Sequence, residues 1–330
     1  MSAAPGKSVG QRILQTIRIL APWVAVTCVV LALVSQGDQL RRCLERLNLW
    51  VLAICLLFCV VYRVLNAGIW VWILDALGHR IPYWQGTRAW LTSESLRWLP
   101  GSIWGFCSRV DAAKNLGVPA AVASISLPVE LLVTIISWSI VALIGLIVSG
   151  LGARLLAVYL IWLLAISGVV VVLLLTVKLT GPILARQRWF ASGLARVRGV
   201  LKMRPDRGAI VRATLFYTGL NAANGLGLWL ITAGMGYSQV VSPASAIGVN
   251  AAGWLVGFFA IGVPGGIGVR ESAAAFLLAP LMPWQEAVLA SVLWRVIQVV
   301  AEFVSLIPCL FLRQNIRRSE RLPVHETISS

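Results

Sequence analysis

Residues 246–272 read AIGVNAAGWLVGFFAIGVPGGIGVRES. The first twenty, Ala246 to Gly265, carry no charge. An uncharged apolar run of that length reads as a segment inside a bilayer. Pro264, Gly265, Gly266 and Gly268 then break any helix, because proline removes a backbone donor and glycine favours turns. Two charges, Arg270 and Glu271, follow at once. A greasy helix that stops and places charges at the stop is the pattern that organises the rest of the chain.

Composition sets the class. Of 330 residues, 59% are hydrophobic and 12% are charged, with a mean hydropathy of +0.86. Soluble domains carry about 25% charged residues, and a soluble chain of this length has nowhere to hide so much apolar surface. Apolar runs recur at Ile19–Ser35, Leu49–Leu77, Ala120–Ser149, Leu155–Val177, Ala209–Met235, Ala244–Val263, Ala273–Met282 and Gln285–Leu312. The stretch Pro82–Cys107 is apolar but broken at Pro100-Gly101, too short on either side to span. The expected fold class is all-α: a polytopic membrane helix bundle of about seven to eight spans, with broken or re-entrant segments in two pseudo-repeated halves. The organisation is a flank at 1–18, a first membrane half at 19–177, a basic loop at 178–208, a second half at 209–312 and a basic tail at 313–330. The first span lacks a small-residue cleavage site and reads as retained.

Lysine and arginine orient such a chain, because basic loops stay on the cytoplasmic side. Lys178–Arg207 holds eight basic residues; the N-terminal flank adds Lys7, Arg12 and Arg18, and the tail Arg313, Arg317, Arg318 and Arg321. All three are expected in the cytoplasm of a chain in the cytoplasmic membrane. This requires an even number of crossings after the central loop, so Ala273–Met282 would have to cross with its glycine-rich lead-in; if it only dips in and returns, the tail ends up outside, against the rule. The three arginines of Gly37–Asn48 run against this scheme. The net charge of +16 is accounted for by topology and attraction to anionic lipid, not by nucleic acid. Cys28, Cys43, Cys55, Cys59, Cys107 and Cys309 form no metal-type pair and read as small apolar side chains with free thiols. No metal or cofactor is expected, and the chain has no phosphate-binding loop of the nucleotide hydrolases.

The break at Pro264 has an internal partner. Pro100-Gly-Ser-Ile-Trp-Gly-Phe-Cys-Ser-Arg109 parallels Pro264-Gly-Gly-Ile-Gly-Val-Arg270, 164 residues later. Paired Gly/Pro-interrupted apolar segments in two halves of a membrane protein point to a transport site. Irregular backbone at membrane depth is tolerated where it is buried in protein or lines an aqueous cavity. Free amides and an arginine at the start of the following helix favour an anion. The competing reading is a membrane-level loop whose Arg270 and Glu271 snorkel to the interface. Further intramembrane charges are Arg63, Glu94, Arg97, Glu130, Arg295 and Glu302; each costs about 2.5–3.5 kcal/mol or more near the bilayer centre. Arg295, Gln298 and Glu302 share one helix face, as do Asn221 and Asn224. Singly these fit interhelical hydrogen bonds; together they describe a polar seam. Arg63, Asp75 and Arg80 also fit an interfacial position.

These residues resemble the lysylphosphatidylglycerol synthase transmembrane, or flippase-like, integral membrane family, over about residues 10–315. The matching marks are Leu99-Pro-Gly-Ser-Ile-Trp-Gly with Arg109, then Pro264-Gly-Gly-Ile-Gly-Val-Arg270-Glu271, then Arg295. Glu130 stands where the family often has an acid, whereas Phe106 stands where many relatives have a glutamate. The resemblance implies a lipid-handling protein, in some members a flippase for aminoacylated phospholipid. The chain ends 18 residues after its last span, so it resembles the flippase part without the aminoacyl-transferase domain and is not expected to make the lipid. The expected ligand is an anionic phospholipid or a polyprenyl-linked amphiphile. The expected site is Arg270, Glu271, Arg109, Arg295, Glu302 and Glu130, with Pro264, Gly265, Gly266, Gly268, Pro100 and Gly101 shaping the breaks. Two other classes are compatible with the residues: a membrane enzyme acting on a lipid-linked substrate, with Glu94, Glu130 or Glu271 as acid or base, and an accessory subunit that positions a glycosyltransferase. The enzyme reading lacks a DxD or DD pair for a metal.

Overall fold

A computed structural model describes residues 48–98, 103–152, 206–260 and 264–309. The segments expected at Ile19–Ser35 and Leu155–Val177, the basic loop up to residue 205, the tail and the Pro100-Gly101 pair lie outside them. The described residues form an all-α bundle with no strand among them. Its helices are α1 (Leu49–Ala76), α2 (Tyr83–Glu94), α3 (Ile103–Asn115), α4 (Ala120–Val148), α5 (Arg207–Thr232), α6 (Pro243–Phe259), α7 (Val269–Leu278) and α8 (Trp284–Val304). Three are long and apolar enough to cross a membrane: α1, α4, and α8 with its continuation to Cys309. Local chemistry sets several starts. Asn48, Asp206 and Ser242 accept hydrogen bonds from the first-turn amides of α1, α5 and α6, and Pro243 sits in the first turn of α6 where its missing N–H costs nothing.

Each half repeats one plan: a long helix, a broken pair of short helices, a long helix. In the first half α1 and α4 flank α2 and α3; in the second α5 and α8 flank α6 and α7. The equivalent helices α1 and α5 run in opposite directions. Cys55 meets the Gly227 carbonyl, Tyr62 donates to Asn221 at 2.9 Å, and the Asp206 N–H donates to the Ala76 carbonyl at 3.0 Å; the numbers fall in α5 as they rise in α1. The broken pairs therefore begin at opposite ends of the bundle. Their tips meet inside it, where the turn Ser95–Trp98 touches the turn Pro264–Gly266.

The second broken pair bears on the open choice of whether Ala273–Met282 crosses after Ala244–Val263 or turns back. Helix α6 stops at Phe259 after 17 residues, and α7, 10 residues long, returns along it. A Cβ at Gly253 would lie 3.4 Å from Ala274 Cβ, and one at Gly257 would fall on the Arg270 side chain, the register of an antiparallel hairpin. At 1.5 Å per residue α7 is about 15 Å long, half a bilayer core.

Close backbone contacts fix the hairpin in place. A Cβ on Gly145 of α4 would lie 2.6 Å from the Gly248 nitrogen of α6, and one on Gly225 of α5 would lie 2.5 Å from Ile247 Cα. Only glycine permits such approaches. The main core draws on both halves, with Trp138, Leu146, Leu228, Ile231, Val249, Leu278 and Trp294 among its buried side chains.

Candidate functional site

The second break is built on glycine. Gly265, Gly266 and Gly268 have φ of 64°, 66° and 82°, values that other residues adopt only with strain. The turn they make ends on α7, whose second and third residues are Arg270 and Glu271. Glu271 folds back, and its Oε2 accepts from the Gly268 N–H at 2.6 Å, closing the helix start. Its other oxygen forms an ion pair with Arg295 Nε at 3.5 Å, and Arg295 Nη2 donates to the Gly265 carbonyl at 3.1 Å. Arg295 on α8 thus clamps the break from outside, and Glu271 is buried between break and clamp. Arg270 points the other way, its guanidinium 5.2 Å from the ring of Trp254. The missing Cβ of Gly257 makes the space for its stem.

The first half places a closed ion cluster at the corresponding depth. Arg109 on α3 donates to Glu94 Oε1 at 2.7 Å, Glu130 Oε2 at 2.6 Å and Ser93 Oγ at 2.9 Å. Trp90 Nε1 donates to the other oxygen of Glu130 at 2.6 Å, and Arg109 lies 5.2 Å from the Trp90 ring. All three guanidinium nitrogens are engaged and the side chain is 3% exposed.

Between the two halves lies a cavity of about 140 Å³. Arg270, Arg295, Glu94, Glu130, Glu302 and Arg63 bring charge to its wall. Expected site residues from both halves thus share one space: Arg270 and Arg295 from the second, Glu130 from the first. Arg109 does not line it; its carboxylate partners stand between it and the space. Glu271 lines a smaller adjoining pocket that Arg270, Arg295, Gln298 and Trp254 divide from the main one. Gly265, Gly266 and Gly268 shape the turn, and Pro264 opens it.

Of the two positions open to Arg63, the structure fits the buried polar seam and not the interface: it is 9% exposed, pairs with Glu302 at 3.3 Å and donates to Ser305 at 3.3 Å. The partner lies 239 residues away in the chain, so no local spacing announces it. Trp90, Trp138, Trp254, Tyr62 and Tyr217 also line the cavity, and tryptophans in apolar helices read as core. The polar face of α5 does form the expected interhelical bonds. Asn221 accepts from Tyr62, and Asn224 Oδ1 accepts from Asn250 at 3.1 Å and Gln298 at 3.2 Å.

The arrangement holds four arginines and four glutamates inside the bundle, joined as Arg63–Glu302, Arg295–Glu271 and Arg109 with both Glu94 and Glu130, with Arg270 against Trp254. Such a set is costly in lipid unless partnered. Here the charges are partnered within the bundle and most of them border one cavity. Neither the comparison with curated proteins nor that with solved structures returned a match. The family described as the Lysylphosphatidylglycerol synthase TM region matches residues 19–305, nearly the whole length. With that match covering the two breaks, the cavity and the arginine clamp, the chain belongs to the lysylphosphatidylglycerol synthase transmembrane-region family.

Proposed function

We propose that this protein is a lipid flippase that moves an anionic or lipid-linked amphiphile across the cytoplasmic membrane. Family membership makes it a membrane protein of lipid-related function; the transport reading goes beyond that. The observation that carries it is the meeting of two broken hairpins, begun at opposite ends of the bundle, at a polar cavity with Arg270 on its wall. A head group entering from either side then meets the same arginine. At about 140 Å³ the cavity suits a head group, not two acyl chains, so the tails stay in surrounding lipid while the charged end crosses. Arg270 meets the phosphate as a planar fork, and the paired charges around it replace water.

The test is scrambling of fluorescent phospholipids in proteoliposomes. The expected result is protein-dependent movement of phosphatidylglycerol, with uncharged diacylglycerol analogues moving no faster than in empty vesicles. No protein-dependent movement for any anionic or polyprenyl-phosphate head group would defeat the transport reading in favour of an accessory role.

Orientation belongs to the same proposal. The eight basic residues of Lys178–Arg207 put that loop in the cytoplasm. A cysteine introduced at Ser192 is expected to react with a membrane-impermeant maleimide in inverted vesicles and to stay unlabelled in intact cells. Labelling from outside would reverse the assignment.

A further inference from the structure

Arg270 reaches the cavity from the second half of the chain. The first half offers a donor of its own. Trp138, on α4, lines the same cavity and is 2% exposed. Its indole N–H has no acceptor among the described residues. Leaving a buried N–H without an acceptor costs about 1–3 kcal/mol. The other cavity tryptophan of the first half differs: Trp90 Nε1 is spent on Glu130. Trp138 is held firmly, its ring stacked on Trp254 at 5.0 Å and 9°. The guanidinium of Arg270 lies 5.2 Å from that same Trp254 ring. Two donors, neither with any acceptor capacity of its own, thus flank one aromatic plate beside one polar space. A ligand that satisfies the indole N–H and lies beside the guanidinium presents acceptor oxygens and negative charge, which is the chemistry of a phosphate ester.

We propose that Trp138 is the first half's anchor for the ligand oxyanion, its indole N–H donating to one phosphate oxygen while Arg270 of the second half holds the others. The inference rests on the transport reading and adds to it. The phosphate ester bridges the two halves of the bundle, so binding couples them.

The test uses the full chain reconstituted in vesicles with phosphatidylglycerol diluted into a phosphate-free galactolipid. Trp138→Phe keeps an aromatic ring against Trp254 and removes the donor. Benzothienylalanine at position 138 is the closer isostere, with sulfur in place of the N–H, and covers the case in which Trp138→Phe fails to fold. Both variants are expected to need about tenfold more phosphatidylglycerol for half-maximal scrambling, as loss of one charge-assisted hydrogen bond implies. Their melting temperature in the galactolipid without phosphatidylglycerol should stay at the wild-type value. A merely structural tryptophan would shift the melting temperature instead and leave the concentration dependence alone; that outcome overturns the inference. Unchanged half-saturation in both variants while Arg270→Ala is inactive refutes the anchor and leaves the transport reading standing. If Arg270→Ala is also fully active, both fall. Millimolar glycerol 3-phosphate in the buffer separates the two sources of the oxyanion. Inhibition that disappears in the position-138 variants supports the anchor with a water-borne ester as its ligand, whereas no inhibition supports the membrane-held head group.

Discussion

Arg270→Ala is expected to abolish lipid movement while the protein still expresses, folds and reconstitutes. The side chain contributes two or more charge-assisted hydrogen bonds to a phosphate, each worth about 1.5–3 kcal/mol, so the loss amounts to at least about a hundredfold in rate. The fold loses much less. Trp254 remains stacked between Trp138 and Phe258, and the helix start is closed by Glu271, not by Arg270. Among the contacts that disappear is a cation–π pair with Trp254, worth about 0.5–2 kcal/mol. Arg270→Lys is expected to recover about a tenth of the rate, because an ammonium lacks the planar fork that grips phosphate at two points. Scrambling assays beside thermal melts of the same preparations check both statements. Wild-type movement by Arg270→Ala counts against the site. Loss of the folded protein would make Arg270 a structural ion instead.

Arg109 is expected to behave in the opposite way, although it occupies the matching place in the sequence repeat. Arg109→Ala leaves Glu94 and Glu130 facing one another without the cation both contact at under 3 Å. Breaking a buried ion pair by removing one partner costs about 3–5 kcal/mol, a large fraction of the stability of an ordinary domain. The expected result is a collapse in the yield of folded, monodisperse protein. Arg109→Ala combined with Glu94→Gln and Glu130→Gln should recover part of it, since the triple change also removes the stranded charges. Size-exclusion profiles of the single and triple variants decide it. A stable, well-folded Arg109→Ala that loses only transport would return Arg109 to the binding site.

The two arginines explain what the sequence made legible and what it did not. Helices α1 and α4 are readable almost to the residue, since Leu49–Ala76 and Ala120–Val148 are long, strongly apolar runs with few charges between turn signals. The break at Pro264 is readable too, because a proline and three glycines have no other business in an apolar run. The folding-back of α7 on α6 is not. Hydropathy registers how apolar a segment is, and Ala244–Val263 is apolar whether it crosses or turns round. What turns it round is tertiary: Gly253 and Gly257 admit the returning helix, and nothing in a hydropathy window distinguishes them from other membrane glycines. The partners of the buried charges are hidden for the same reason. Arg109 and Arg270 share a motif, but Glu94 and Glu130 close on one while Trp254 accommodates the other. That choice is made by helices arriving from elsewhere in the chain.

The glycine contacts around α6 carry a mechanical consequence. At Gly145·Gly248 and Gly225·Ile247 the helix touches α4 and α5 almost backbone to backbone. Helices in such contact have no long side chains to interlock there, so they tilt about the point of touch at little cost. They do not slide along one another, because Leu146 and Ile247 stand directly beside the glycines as stops. A one-turn axial ratchet is barred, and tilting is the motion left open. On the transport reading, α6 would be the fulcrum fixed at these two points, and the short arm α7 that bears Arg270 the lever swung from it.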